Sequence, residues 1–471
     1  MYQRRRRVGI GAPAVATVLL CLLTACTSGD EPSSSPPSSP TSAPTSASTS
    51  ASPSPSGPVT LRFAVYGGQP EVAAYRAMAR AFTRIHPDVT VKVEASRNQA
   101  SARTALDQQI AAQHPPDLFL SDASVLPSLM EEGAVQPVDQ LLEDRDVEFG
   151  DTYERLGLEA FAADDALQCM PNDVSPYVVY YNRRLFNRVR LAPPGQEQPT
   201  PQTGWSWEQF VTAAQQMSRG RVKGAYLAPS LTTLTPLLRS AGSDIVDDPQ
   251  EPTTLQLSDG ATRSALEEIL PLVRNARVTP TQELSPSEAV RRFEQGRLAM
   301  MVGTRALVPA LRSDPSLRFD VFPMPSLAST QTIAEVTGYC ISHDTPHVAA
   351  AADFLAFASG NQGAALTAQS GGVVPANLAV LHSPAFEQPG RFPLNVAVFT
   401  QVMRRADTMP NPPAWGKVEA RTRPLLERLW YAPVLDLDSL LPRIDAISAG
   451  LLAEPTPSPS PSPSTSESPS P

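Results

Sequence analysis

Leu61, Phe63 and Val65 alternate with Arg62 and Ala64, a period-two pattern that predicts a strand ending at Tyr66-Gly67-Gly68. The period then changes. Val72, Tyr75, Met78, Ala79, Phe82 and Ile85 recur at steps of three and four while Arg76, Arg80 and Arg84 line another face, which predicts an amphipathic helix stopped by His86-Pro87-Asp88. Val89, Val91 and Val93 alternate as a second strand, and Ala102, Leu106 and Ile110 mark a second helix. Pro115-Pro116 breaks that helix before the apolar run Leu118-Phe119-Leu120, which ends in Ser121-Asp122. Strand, helix, strand, helix, strand predicts a parallel sheet.

In such sheets ligands sit beyond the carboxyl ends of the strands, and Tyr66-Gly67-Gly68 and Ser121-Asp122 both fall there. Each has a plainer use. The glycines suit a tight turn, and Asp122 suits the cap of a helix carrying Leu126, Leu129 and Met130. Further on, Ser206-Trp207-Glu208-Gln209 has the spacing of a capping box, with Phe210 opening an apolar face. Ala299 to Val302 reads as a buried strand closed by Gly303-Thr304, and Thr345-Pro346 as the start of a helix holding Ala349, Ala352, Phe354 and Phe357. The patterned body, from Pro58 to Glu454, is longer than one hydrophobic core usually organises, so two α/β lobes are expected.

The ends of the chain follow different rules. Arg4 to Arg7 and the short apolar stretch Ala14 to Leu23 read as an export signal over residues 1–25. Leu23-Thr24-Ala25-Cys26 resembles the lipobox of bacterial lipoproteins and makes Cys26 the expected site of lipidation. The arginine run leaves the general and twin-arginine export routes both open. Residues 26–57 are almost entirely Ser, Pro, Thr and Ala after Cys26, a composition expected to form an extended tether. In polyproline II such a tether reaches roughly 50 to 90 Å. Residues 455–471 form a similar Pro/Ser tail.

Loss of the four signal arginines takes the formal charge from −9 to −13, which makes nucleic acid an unexpected partner. Lys92, Lys223 and Lys417 are the only lysines, a bias that fits a GC-rich, actinobacterial-type genome. With Cys21 in the signal and Cys26 as anchor, Cys169 and Cys340 remain for an oxidising compartment, either bridged or as separate buried thiols. HExxH, GxSxG and P-loop patterns are absent from the sequence, and His343 and His347 straddle a helix start rather than sharing a face. Neither a metal nor a cofactor is therefore expected. Asp164-Asp165 and Asp247-Asp248 suit solvated turns better than acid/base work.

Six motifs carry a family resemblance. They are Ala81-Phe82-x-x-x-His86-Pro87-x-Val89-x-Val91, Ile110-Ala111-Ala112-x-x-Pro115-Pro116-Asp117-Leu118, Tyr180-Tyr181-Asn182-Arg183-x-Leu185-Phe186, Trp207-Glu208-Gln209-Phe210, Phe293-Glu294-Gln295-Gly296-x-x-Ala299-Met300 and Gly372-Val373-Val374-Pro375-Ala376. In this order the chain resembles family 1 of the extracellular solute-binding proteins, the maltose-binding-protein-like group. The resemblance implies an α/β, two-lobed periplasmic-binding-protein fold of type II, each lobe a sheet flanked by helices and the two hinged by crossing strands. Its expected division is 58–168 for the first part of lobe I and 169–337 for lobe II. Residues 338–376 would return to lobe I, and 377–454 would complete lobe II and the hinge. The crossings are expected near Leu167 to Pro171 and Val336 to Ile341, which would make Cys169 and Cys340 hinge neighbours and disulfide partners.

The resemblance also supplies expected ligand contacts. They are Tyr66, Gly67 and Asp122 from the first lobe, and Asn172 and Asp173 after the first crossing. Thr304 and Arg305 come from the second lobe, Gly338 and Tyr339 from the return, and Trp415 from the C-terminal part. Trp415 is either a ring platform for solute or a plug against the neighbouring lobe. Arg305 departs from the family pattern, where an aromatic residue often follows the glycine turn. A guanidinium in the cleft would suit a carboxylate, a phosphate or paired hydroxyls. With 6% aromatic residues and four tryptophans, the chain has few stacking platforms for a long glycan. The implied function is capture of a sugar or sugar-like molecule by a monomeric, lipid-anchored protein on the extracytoplasmic face, for an ABC permease. A sensor or scaffold lipoprotein is the alternative reading. Less favoured is a secreted carbohydrate-active enzyme using Asp122 and Asp173.

Overall fold

Alternation becomes burial in the first strand: Leu61, Phe63 and Val65 are buried while Arg62, Ala64 and Tyr66 reach the surface in part. The computed structural model describes residues 57–192 and 197–453. The expected signal peptide, the Cys26 anchor, the tether up to residue 56 and the tail 455–471 lie outside the described residues. Strand β1 (Val59–Tyr66) pairs in parallel along its whole length with β2 (Val89–Ser96), from Val59 opposite Val89 to Tyr66 opposite Ser96. It also pairs in parallel with β3 (Leu118–Asp122), and helices α1 (Gln69–Ile85) and α2 (Gln99–Ala111) make the connections. Helix α1 buries Val72, Tyr75, Met78, Ala79 and Phe82 and exposes its three arginines, as a 3.6-residue period requires. Ile85 departs from the expected apolar face at 58 % exposure, because the helix ends on it.

Two antiparallel strands extend this sheet, which Val135–Gln136 and Ala406–Asp407 bring to seven strands. A return strand (Thr332–Ser342) lies against β3, with Cys340 opposite Phe119, and a crossing strand (Met170–Pro176) lies against the return strand. Immediately afterwards the chain enters a second, three-stranded antiparallel sheet, in which Val178–Asn182 runs between Phe319–Phe322 and Met300–Gly303. The change of sheet therefore falls at Pro176-Tyr177-Val178, with the return between Phe322 and Thr332. This corrects the crossings expected near Leu167 to Pro171 and Val336 to Ile341. The ladder begins at Met170 opposite Tyr339 and runs on to Pro176, which, with no N–H to give, stands at its end.

Three apolar cores match this layout. One joins the first sheet to α1 and the helix Val348–Ser359 through Phe63, Tyr75, Phe82, Tyr339 and Phe354. A second surrounds Trp205, Phe210, Phe322 and Trp430 in the other half. The third runs along the crossing strands, holding Val174, Val178, Tyr180 and Val336 together with Phe386 and Phe399. A disulfide joins Cys169 to Cys340, Cα atoms 4.4 Å apart, inside the first sheet's end of this shared core. The helix Trp207–Met217 starts on the expected capping box: Gln209 N donates to Ser206 Oγ at 3.2 Å, and Ser206 N donates to Gln209 Oε1 at 2.9 Å. Among the described residues no helix is long and apolar enough to cross a membrane.

Candidate functional site

Parallel pairing brings the carboxyl ends of β1 and β3 side by side. Tyr66 closes β1, and Gly67 turns the chain out at φ +142°, a conformation side chains disfavour. A Cβ there would also sit 3.0 Å from the Cβ of Glu71. Asp122 closes β3 and caps the next short turn, its Oδ1 accepting from Ser124 N at 2.8 Å. A small cavity of about 100 Å³ lies between these ends and α2, bounded by Tyr66, Ser121, Asp122, Gln99 and Arg103.

The larger opening, about 720 Å³, lies over the crossing strands and against the second half. Tyr177 and Glu335 come from the crossings, Thr304 from the end of Met300–Gly303, and Tyr226 from the loop leading to the helix Leu231–Ser240. Glu419 and Arg423 project from one face of the helix Trp415–Tyr431, as i,i+4 spacing demands. Glu335 is the one exposed position in a return strand that is otherwise buried or half-buried. Its carboxylate accepts from Tyr177 OH and from Thr304 Oγ1, the latter at 3.3 Å. Glu335 touches solvent yet stands among protein walls, and that desolvation pushes its carboxyl above the usual range, with the Asp122 charge adding to the effect. Burial raises Glu419 too, and Asp122 again contributes. The phenol of Tyr66 rises through burial and then the charges of Asp122, Glu335 and Asp173. Tyr66 and Asp122, at the first sheet's strand ends, thus share one field with Glu335 on the floor. Asp173 is pushed up to about 7 by burial, although Ser175 Oγ and Val374 N both donate to its Oδ1 at 2.7 Å. The Asn411 amide donates to Ala123 O at 2.7 Å, joining the loop before Trp415–Tyr431 to the residue after Asp122.

Of the expected contacts, Thr304 lines this crevice, Tyr66 and Asp122 border the smaller cavity, and Gly67 and Asp173 are in the lining of neither; five others do not face it. Arg305 is 0 % exposed: Nε donates to Gly371 O at 3.1 Å, Nη2 to Phe386 O at 2.9 Å, and the guanidinium stands 4.2 Å from the centre of the Phe386 ring. An arginine with aromatic and carbonyl partners on its inner side turns away from water, so the expected cleft cation is a core residue. Gly338 is a packing spacer, since a Cβ there would meet Phe161 Cε2 at 2.6 Å and Met170 O at 2.9 Å. Tyr339 is 1 % exposed among Phe63 and Tyr75, and its hydroxyl donates at 2.8 Å to Asn172 Oδ1, which keeps Asn172 in the core as well. Trp415 is 5 % exposed in the second core, while its neighbours Gly416 and Glu419 reach the crevice.

Sequence reasoning did not single out Tyr177, Glu335, Tyr226, Glu419 or Arg423. The signal for Glu335 was present, as a lone carboxylate inside the apolar run Ile333 to Ile341. Tyr177 follows the proline that ends its ladder. Glu419 and Arg423 gave only the ordinary polar face of a helix. Together these groups offer carboxylate acceptors suited to hydroxyl groups, around a space the size of a small solute, with the Tyr177 phenol spent on Glu335 and the Tyr226 phenol on the Leu284 backbone.

No curated protein matches the chain. Among solved structures, it is similar to an ABC substrate-binding protein of Listeria monocytogenes in complex with cycloalternan, at 20% identity and a TM-score of 0.72, over 83% of this chain and 98% of that one. It is similar to the GacH receptor of Streptomyces glaucescens, solved unliganded and with acarbose, at 18% identity and 0.70, over 84% and 98%. It is also similar to the maltotriose-binding protein of Thermus thermophilus, at 18% identity and 0.66, over 83% and 99%. At these identities the likeness establishes the two-lobed solute-binding fold. The family description "bacterial extracellular solute-binding protein" matches residues 77–393, and the chain belongs to that family.

Proposed function

We propose that this protein captures a sugar or similarly hydroxylated solute in the crevice over its crossing strands and presents it to the permease of an ABC importer. The observation that carries the reading is the opening of about 720 Å³ floored by Tyr177 and Glu335 and walled by Thr304 and Glu419. Two carboxylates, one of them held by a phenol and a hydroxyl, suit a polyol, because each carboxylate oxygen keeps lone pairs that can accept from a sugar hydroxyl. The similar proteins solved with cycloalternan, acarbose and maltotriose support the same ligand class.

In this reading Tyr66, Gly67, Asp122 and Asp173 complete the site from the first lobe when the halves close, and the chain acts by binding rather than catalysis. The first lobe comprises residues 58–176 with the return strand, and the second is centred on 178–322. The helices Trp415–Tyr431 and Leu437–Leu452, whose buried faces lie in the second core, complete that lobe. Closure is a population shift, driven by contacts that a solute makes with both lobes at once. Cys26 carries the lipid that holds a monomeric body on the extracytoplasmic side, at the end of the Ser/Pro tether.

A thermal-shift screen of the mature protein against mono-, di- and oligosaccharides, sugar acids and amino-acid derivatives tests this. A sugar that binds the native state raises the melting temperature, and at a hundred times its Kd contributes about 2.7 kcal/mol. If amino-acid derivatives stabilise the protein and every sugar is inert, the ligand class is wrong.

A further inference from the structure

Most hydrogen-bond donors lining the crevice are already used inside the protein. Tyr177 OH donates to one oxygen of Glu335, and Thr304 Oγ1 donates to the other at 3.3 Å. Tyr226 OH donates to Leu284 O at 3.0 Å and accepts from Leu284 N at the same distance. Ser230 Oγ donates to Thr233 Oγ1 at 3.1 Å and caps the helix Leu231–Ser240 by accepting from Thr233 N. Arg423 gives one N–H to Glu283 at 2.6 Å. The side-chain donors left over are the hydroxyls of Thr232 and Thr233 and the outer N–H groups of Arg423. A solute hydroxyl both gives and takes a hydrogen bond, so a ligand that turned hydroxyls to every wall would leave many of its oxygens without a donor.

The rest of the wall is carbon. Half of the residues lining the opening have only hydrocarbon or thioether side chains. Pro286, Ala289 and Val290 share one face of the helix Pro286–Glu294, as i, i+3 and i+4 spacing requires, and Val290 is half-buried. Leu307, also half-buried, folds over the end of the strand Met300–Gly303. A Cβ on Gly303 would stand 2.4 Å from Leu307 Cδ1, so the bare glycine makes room for it. This places a branched aliphatic side chain next to Thr304, which holds Glu335. Val302, from the same strand, is half-buried in the lining too. Among the described residues Tyr177 and Tyr226 are the only rings lining the opening, so it offers aliphatic surface in place of the flat faces on which sugar rings stack.

Resting on the sugar reading above, we propose that the solute is an amphiphile, a hydroxylated head at Glu335, Thr304 and Glu419 that carries a short alkyl or acyl group laid against Val290, Val302 and Leu307. One molecule reaches both surfaces because they bound the same opening, whose volume of about 720 Å³ suits a ligand of drug size, larger than one hexose. The head meets the acceptors, and the hydrocarbon part covers the carbon wall without asking it for donors. Each methylene taken out of water there strengthens binding by about fourfold. A plain sugar in the same place sets hydroxyls against carbon and leaves that wall uncovered.

The test uses matched glycosides on the mature protein, by thermal shift and then calorimetry, below the concentrations at which they form micelles. The methyl and n-hexyl glycosides of glucose, galactose, mannose and maltose are compared, with n-hexanol as a further arm. For the sugar that responds, the hexyl form should bind at least about tenfold more tightly than the methyl form, and n-hexanol far more weakly than either. In Val290→Asn and Leu307→Asn, each checked for a native circular dichroism spectrum, the hexyl-to-methyl ratio should fall toward one. A methyl glycoside binding as tightly as its hexyl form would overturn the inference and leave the sugar reading standing. So would an unchanged ratio in both variants. Binding of n-hexanol as tight as that of the hexyl glycosides would also overturn it, since no hydroxylated head would then be needed. Silence from every glycoside would remove the sugar reading, and the inference with it.

Discussion

The two halves of the molecule are built differently. In the first, Tyr66 and Asp122 stand at the ends of parallel strands, and α1, between β1 and β2, buries a regular stripe against Phe63 and Phe354. In the other, a three-stranded antiparallel sheet lends Met301, Val302 and Gly303 to the crevice, with Thr304 just past its end, and further groups arrive on a loop at Tyr226 and on the distant helix Trp415–Tyr431. The first set of groups is positioned by backbone hydrogen bonds, the second by how helices pack on Trp205, Phe322 and Trp430. Positions that depend on a ladder change little when one side chain is replaced. Positions that depend on packing move with whatever fills the neighbouring core.

That contrast can be broken by mutation. The largest effect is expected from the Cys169–Cys340 bridge, which closes a separation of 171 residues in the first sheet. Its reduction, or Cys169→Ala with Cys340→Ala, should cost about 4 kcal/mol, read as a lower urea midpoint with a steeper slope, since the unbridged unfolded chain exposes more surface. Arg305→Ala should follow at about 3 kcal/mol, because it leaves the carbonyls of Gly371 and Phe386 unpaired and the rings of Phe386 and Phe399 uncovered. Gly338→Ala should cost about 2 kcal/mol by pressing on Phe161 and the Met170 carbonyl. All three should act on unfolding midpoints and leave solute binding in the crevice in place.

The smallest effect has a pH signature. Asp173 titrates near 7 in the folded protein, above its ordinary value of 3.8, so the folded state binds the proton more tightly than the unfolded chain does. The stability this group contributes is greatest at low pH, declines as pH rises from about 4 to about 7, and is level beyond. Asp173→Asn removes the decline while its Oδ1 still accepts from Ser175 and Val374. The variant should therefore be more stable than the parent at pH 8 and equal to it at pH 4, measured by urea unfolding at both. A gain that is larger at pH 4 would show that the carboxyl is stabilising and that its surroundings are misjudged.

The same contrast explains what could be read from the chain. Local periodicity carries β1, α1, β2, α2 and β3, because alternation and the 3.6-residue stripe are properties of a few neighbouring residues. Tyr66 and Asp122 follow from it, as strand ends. The crossings were misplaced because ladder length is a long-range property: Met170 to Pro176 stays paired as long as the return strand lies beside it, and only Pro176 hints at the end. Arg305 reads as a cleft charge until Phe386 and Phe399 cover it. Gly338 reads as a backbone approach to solute until the Phe161 ring occupies the space where a Cβ would stand. Glu335 alone among the missed groups had a legible cue. Glu419 and Arg423 did not, since their place in the site is decided by where a whole helix docks.

A crystal structure of the mature protein with the sugar that gives the largest thermal shift tests the central claim most directly. The account predicts that the solute lies over the crossing strands, in contact with Tyr177 and Glu335 and within hydrogen-bond reach of Thr304 or Glu419. A solute held elsewhere, with the crevice around Glu335 filled by water alone, would contradict it.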